Sequence, residues 1–175
     1  MERLLTKFKQ LDQRLFVGIN TGLHHSSLNF ILYYLTNLGG ATFTILASLS
    51  IWAFAPQPWS RVGLIAFAAL ALSHIPVALT KKTYPRVRPY LTLPGTNTFR
   101  NPLKDHSFPS GHTTAIFSLT VPFIAASPVL ATILIPTALL VAISRIYLGL
   151  HYPSDVAAGG VIGTLVALGT VAIWP

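Results

Sequence analysis

The sequence contains no cysteine and very few acidic residues. The absence of cysteine excludes disulfide bonds and thiolate chemistry. The acidic residues are Glu2, Asp12, Asp105 and Asp155. They are too few to build a cage of carboxylates around Mg²⁺ or Ca²⁺. We therefore expect a site that uses neither a metal ion nor a cofactor.

Charge of both signs is scarce, because only 9% of the residues are charged whereas 52% are hydrophobic. A soluble domain carries about 25% charged residues, so lipid is the natural solvent for most of this chain. Residues 1–175 contain neither an internal repeat nor a low-complexity tract, and we expect a single domain. The net charge of +8 lies beside apolar runs, which favours anionic membrane lipids as partners over nucleic acid.

Five apolar stretches approach the length of about 20 residues that a helix needs to cross a bilayer. They are 38–55, 61–80, 112–127, 129–148 and 156–174. Each is predicted to be helical, because lipid leaves no alternative partner for backbone polar groups. Pro128 separates the third stretch from the fourth and predicts a tight helical hairpin. The fold class is therefore all-α, a multi-span transmembrane helical bundle.

The N-terminal residues 1–25 have a different pattern. Apolar residues recur there at helical spacing, with charged residues between them. The apolar positions are Leu4, Phe8, Leu11, Leu15 and Ile19. This pattern is typical of an amphipathic helix that lies in the membrane interface.

The residues that could carry chemistry are confined to three polar segments, 81–90, 108–112 and 144–155. An even number of predicted spans separates these segments, so all three are expected on one membrane face, together with the N-terminal helix. All 12 lysines and arginines except Arg61 then lie on that face. The positive-inside rule by itself would assign this face to the cytoplasm.

The first two segments carry groups that suit an anion. Lys81 and Arg88 offer cations where a span ends, and such groups bind phosphate, although a basic patch on lipid headgroups has the same composition. Ser110, Gly111 and His112 lead into a predicted helix, whose N-terminal amides bind anions. A histidine at a helix start is also a common structural cap.

The third segment pairs a histidine with an acid. Pro153 fits the first turn of a helix, which places Asp155 in the same turn and His151 just outside it. A carboxylate beside an imidazole fixes its tautomer and leaves the other ring nitrogen free to attack. Arg145 adds a cation. A surface histidine next to a helix-capping aspartate is the alternative interpretation.

Together, the three segments resemble the type 2 phosphatidic acid phosphatase (PAP2) superfamily. Its pattern is a lysine, six residues and Arg-Pro, then Pro-Ser-Gly-His, then Ser-Arg, five residues, a histidine, three residues and an aspartate. The matching positions, in order and with every spacing intact, are Lys81 with Arg88-Pro89, Pro109-Ser110-Gly111-His112, and Ser144-Arg145 with His151 and Asp155.

The resemblance implies a role for each of these residues. His151 would attack phosphorus to form a phosphohistidine while Asp155 holds its ring. His112 would protonate the leaving oxygen and later activate water. The residues implied to bind the phosphoryl oxygens are Lys81, Arg88, Ser110, the Gly111 amide and Arg145.

The resemblance also implies a hydrolase of the cell membrane with five to six spans, whose site opens on the extracytoplasmic face. The expected substrate is undecaprenyl pyrophosphate, phosphatidylglycerol phosphate or phosphatidic acid. Loop 91–107 is expected to shape access of the headgroup. Asp105 and His106 in this loop are candidates to assist the reaction, but we favour the interpretation that they are solvated loop residues. Two alternatives are a vanadate-dependent haloperoxidase, whose family shares the motifs, and a non-catalytic binder or transporter of anionic lipids.

Overall fold

The computed structural model describes residues 2–98, 102 and 104–174, and within these ranges the chain forms helices and no strand. This confirms the all-α prediction. Two 3₁₀ turns, Thr36–Gly39 and Pro128–Leu130, interrupt the helices. The α-helices are α1 (Glu2–Asn20), α2 (Ser26–Leu35), α3 (Ala41–Phe54), α4 (Trp59–Thr83), α5 (Pro89–Thr92), α6 (Gly111–Ala126), α7 (Ala131–Tyr147) and α8 (Pro153–Ile173).

Three described segments are long and apolar enough to cross a membrane: α4, α8 and Pro128–Tyr147, which contains α7. The pair Ser26–Gly39 and Ala41–Phe54 is bent by 52° and would be a fourth span if it crosses as one unit. Helix α6 is also apolar but has only 16 residues. The count of five spans therefore stays a prediction.

The first predicted stretch, 38–55, does not form one helix. Its helical part, α3, begins at Ala41, because Gly40 has extended backbone angles and ends the preceding 3₁₀ turn. The prediction of a hairpin at Pro128 agrees with the structure, where a 3₁₀ turn begins at this proline and joins α6 to α7.

Helix α6 lies at the centre of the bundle, in contact with α3, α4, α7 and α8. Helix α8 approaches it most closely at two glycines. A Cβ atom on Gly159 would lie 2.6 Å from the carbonyl oxygen of Ser110, and one on Gly163 would lie 2.5 Å from that of Thr114. Only glycine fits at such distances, so the GxxxG pair serves close helix packing within the chain.

Helix α1 packs against the end of the bundle where the polar segments lie. Phe16 is buried and contacts Tyr152, with ring centroids 5.7 Å apart, and Asn20 Nδ2 donates a hydrogen bond of 2.7 Å to the Tyr147 carbonyl. The opposite side of α1 is apolar and exposed, with Leu4 73% and Phe8 58% accessible. The location of this helix in the membrane interface stays a prediction.

Candidate active site

The centre of the site is Arg88, which is 1% exposed and lies just before α5. Its Nη1 donates to the carbonyl of Leu150 at 2.7 Å and lies 3.1 Å from Nε2 of His151. Its Nε and Nη2 donate to the backbone carbonyl and the carboxylate of Asp105, at 2.7 and 2.6 Å. Arg88 thus joins the segment after α4 to the segment that carries His151.

Asp105 binds a second cation, because the ammonium group of Lys81 donates to its other carboxylate oxygen. Lys81 also donates to the carbonyl of His106 at 2.9 Å. Burial alone would raise the pKa of Asp105, but the hydrogen bonds from Lys81 and Arg88 lower it to about 2. Half of the Asp105 side chain is exposed, as expected of a solvated loop residue, yet both carboxylate oxygens are paired with site cations.

Arg145, in the last turn of α7, is 2% exposed. Its Nη1 donates to Oγ1 of Thr36 at 2.8 Å. Its Nε and Nη2 are buried and have no hydrogen-bond partner among the described residues. Buried donors of a charged group are costly to leave unpaired, so this guanidinium is suited to an anion that accepts from both nitrogens.

His151 and Asp155 lie side by side as predicted, both fully buried. Nδ1 of His151 is 3.6 Å from Oδ2 of Asp155, slightly longer than a hydrogen bond. Asp155 lies in the first turn of α8, where Oδ2 accepts from the amide of Tyr152 at 2.9 Å. Its other oxygen, Oδ1, accepts from Nη1 of Arg86 at 2.6 Å.

The environment of His151 favours a neutral ring with its proton on Nδ1. Burial lowers the pKa of His151 well below its usual range, and the positive charges of Arg145 and Arg88 lower it further. Arginine can only donate, so the contact from Arg88 assigns the lone pair to Nε2. The proton then lies on Nδ1, toward Asp155, and Nε2 has the character of a nucleophile.

The segment before α6 brings Ser110, Gly111 and His112 to the same place. His112 lies close enough to interact electrostatically with Arg145 and His151. Gly111 is the first residue of α6, and a Cβ added to it would meet no described atom within 4 Å, which leaves its amide approachable. Oγ of Ser110 accepts from the hydroxyl of Thr113 at 2.9 Å and caps the helix.

All the predicted site residues therefore converge at one end of the bundle. Sequence reasoning missed several contacts of the site, among them the pairing of Asp105 with two cations, the contact of Thr36 with Arg145, and the bond between Arg86 and Asp155. No spacing rule connects these partners, which are 17, 109 and 69 residues apart. Only the rarity of acidic residues in this chain singles out Asp105 in advance.

Taken together, the arrangement offers what phosphoryl transfer requires. A neutral imidazole is held between a carboxylate and a guanidinium, a second histidine lies nearby, and three cations surround them. Such cations stabilise the charge on the equatorial oxygens of the transition state, the largest contribution expected in this reaction. Within the described ranges, no group of three or more histidine, aspartate or glutamate side chains could hold a metal ion.

The fold and the site together define a class of protein, the membrane phosphatases, and comparisons with known proteins agree with this assignment. The PAP2 superfamily profile matches residues 62–175, which is more than half of the chain. The bacitracin transport permease protein BcrC of Bacillus licheniformis is 31% identical over 162 residues, covering 92% of this chain and 79% of the relative. The chain belongs to the PAP2 superfamily.

Two further comparisons concern activity and fold. The undecaprenyl-diphosphatase BcrC of Bacillus subtilis is 26% identical over 161 residues, covering 89% of this chain and 80% of the relative. The crystal structure of Aquifex aeolicus LpxE superimposes with a TM-score of 0.82 at 25% identity, covering 93% of this chain and 95% of that one. The protein is accordingly a lipid phosphate hydrolase of the membrane, as the motifs predicted.

Proposed function

We propose that this protein hydrolyses undecaprenyl diphosphate, releasing inorganic phosphate and undecaprenyl phosphate. The observation that carries the proposal is Arg145, a buried guanidinium beside a neutral His151, two of whose nitrogens have no hydrogen-bond partner in the described part of the chain. The similarity to undecaprenyl-diphosphatase BcrC supports this choice among the lipid phosphates that the motifs allow.

In the proposed first step, Nη1 of Arg88 releases Nε2 of His151, which attacks the terminal phosphorus, and the bond from phosphorus to the bridging oxygen breaks. His112 gives a proton to that oxygen, so undecaprenyl phosphate leaves. The proton on Nδ1 of His151 stays directed at Asp155, whose negative charge stabilises the cationic phosphohistidine.

In the second step, His112 accepts a proton from water, and the oxygen of that water attacks phosphorus. The bond between nitrogen and phosphorus breaks, and inorganic phosphate is released with His151 regenerated. Arg145 holds the phosphoryl oxygens with the two donors that have no partner among the described residues, while the charges of Lys81 and Arg88 stabilise the same anion from nearby. The amide of Gly111 adds a backbone donor at a helix N-terminus.

The position of the site suits a lipid headgroup. It lies where the apolar helices α4, α7 and α8 begin or end, so a polyprenyl chain can remain in the bilayer while its diphosphate reaches Arg145. The exposed apolar side of α1 would lie in the interface at the same level. We propose that the protein lies in the cell membrane with the site on the extracytoplasmic face, as the family resemblance implies. The count of positive charges does not decide the orientation, because the cations of the site serve phosphate binding.

Hydrolysis by detergent-purified protein tests the proposal. Phosphate release is compared for undecaprenyl diphosphate, phosphatidylglycerol phosphate and phosphatidic acid, each with EDTA present. We expect the highest kcat/KM for the diphosphate, no loss on chelation, and loss of turnover in His151→Gln but not in the matched control His24→Gln. Equal rates for all three lipids would contradict the substrate assignment, and normal turnover by His151→Gln would contradict the mechanism.

The Bacillus licheniformis relative is named as a transport permease protein, which favours one alternative of the non-enzymatic class. For this chain that alternative is a non-catalytic binder or transporter of anionic lipids. That function needs the cations but neither His112 nor the pair of His151 and Asp155. Binding of undecaprenyl diphosphate without release of phosphate from any of the three lipids would support it. Peroxide-dependent oxidation of halide by vanadate-loaded protein would instead support the haloperoxidase.

A further inference from the structure

Asp155, the proposed partner of the nucleophile, is itself held by Arg86. This arginine lies two residues before the arginine of the PAP2 pattern, and its role does not follow from the motif. Its Nη1 donates to Oδ1 of Asp155 at 2.6 Å, which leaves Oδ2 facing His151. The guanidinium of Arg86 also lies 4.0 Å above the ring of Tyr152, whose amide donates to the same carboxylate.

The other side of Arg86 is bound by Asp12 on α1. Nη2 of Arg86 donates to Oδ2 of Asp12 at 2.7 Å, and Asp12 is only 4% exposed. Asp12 also accepts from the amide of Ser154 at 2.9 Å and from its hydroxyl at 2.6 Å. A single carboxylate therefore binds both Arg86 and the first turn of α8, the turn that contains Asp155.

The charges of this cluster fit an orienting role. Burial alone would lower the pKa of Arg86, but the carboxylates of Asp155 and Asp12 raise it, so the guanidinium stays charged. Without Asp12, Arg86 would keep its bonds to Asp155 and to the hydroxyl of Ser154 and its contact with the Tyr152 ring. Its Nη2 would have no other side-chain partner among the described residues, and 23% of the side chain is open to solvent. Asp12 occupies the second amino group and keeps the plane of the guanidinium fixed, because a fork of donors bound at both ends has one orientation.

We propose that Asp12 and Arg86 are positioning residues for catalysis, which act by fixing the carboxylate of Asp155 against His151. Helix α1 is then part of the catalytic apparatus as well as a membrane-surface element. This inference rests on the proposed phosphohistidine mechanism. It concerns residues that touch neither the substrate nor the reacting nitrogen.

The test compares two variants of α1 in the hydrolysis assay. Asp12→Asn removes the charge at nearly constant volume, whereas Phe16→Leu weakens the packing of α1 on Tyr152 and leaves the ionic cluster intact. We expect Asp12→Asn to lower kcat about tenfold to a hundredfold, a size typical of side chains that orient a reactive group. KM should stay within about twofold, because the phosphate-binding cations are unchanged. Asp12→Glu, which restores the charge, should recover part of the lost kcat.

The thermal midpoint of each variant separates positioning from stability. Asp12→Asn and Phe16→Leu are compared at the same loss of thermal midpoint. If they then lower kcat by the same factor, Asp12 only anchors α1 and the inference is overturned. An unchanged kcat in Asp12→Asn overturns it as well. If the wild-type protein releases no phosphate from any lipid tested, the proposed function fails, and the inference fails with it. Wild-type turnover that depends on His151 but not on Asp12 refutes the inference alone.

Discussion

Replacing Arg145 by methionine is expected to change activity and stability in opposite directions. Methionine keeps much of the side-chain volume but removes the charge and both unpaired nitrogens. In the wild-type protein these nitrogens would each form a charge-assisted hydrogen bond to the phosphoryl group. Because such a bond contributes about 1.5–3 kcal/mol, two of them contribute about 3–6 kcal/mol to the transition state. This corresponds to a decrease in kcat/KM of about 10²- to 10⁴-fold.

The stability should rise, since a buried donor without a partner costs about 1–3 kcal/mol. The variant loses one stabilising hydrogen bond, to Thr36. It also removes two destabilising features, the buried nitrogens without a partner among the described residues and the repulsion between the charges of Arg145 and Arg88. We expect a thermal midpoint a few degrees above wild type, because about 1 kcal/mol shifts the midpoint of a chain of this size by about 2–4 °C.

The assay measures phosphate release and the thermal midpoint of detergent-purified protein, with and without orthovanadate as an analogue of the phosphoryl group. Vanadate should raise the midpoint of the wild type and leave that of Arg145→Met unchanged. Arg61→Met, an exposed change at the start of α4, is the matched control. Wild-type activity in Arg145→Met, or an undiminished effect of vanadate on it, would refute the reasoning.

Two further predictions concern stability. Asp105→Asn should lower the thermal midpoint equally at pH 5 and pH 7: the pKa of Asp105 is lowered to about 2, so its ion pairs stabilise the fold above about pH 4 and are lost only as the pH falls toward 2. A loss of thermal midpoint at pH 7 that vanishes at pH 5 would contradict this. The second prediction is that Gly163→Ala separates α6 from α8 and lowers both the thermal midpoint and the activity, because the new Cβ would lie 2.5 Å from the carbonyl oxygen of Thr114. The control Gly169→Ala, with no described atom within 4 Å of the added Cβ, should be neutral or slightly stabilising, and equal effects of the two changes would argue against the packing role.

Much of the fold follows from local patterns in the sequence. The apolar stretches gave helix positions within a few residues, because burial in lipid demands continuous apolar helices whatever their neighbours are. The exception is the segment before α3, where Gly39 and Gly40 end one element and start another. Both sides of this break are apolar enough to pass together as one span, so hydropathy does not mark it and only the pair of glycines does.

The site was predictable where its residues keep fixed spacings, as His151 and Asp155 do at the start of α8. The other residues of the site are brought together by contacts between segments that are distant in the sequence. Asp12 had the pattern of a polar position on an amphipathic helix, and nothing local distinguishes it from its exposed neighbours. Its burial arises only because α1 docks on the start of α8, where Arg86 and the amide of Ser154 provide donors.

The hydrogen bond from the amide of Ser110 to the carbonyl of Asp155, 3.0 Å long, joins the starts of α6 and α8 through backbone atoms alone. His112 lies two residues after Ser110, and His151 lies four residues before Asp155. A main-chain bond therefore ties together the two segments that carry the proposed proton donor and nucleophile, whichever side chains occupy the two bonded positions. Changes of apolar side chains farther along α6 and α8 are expected to leave this bond in place.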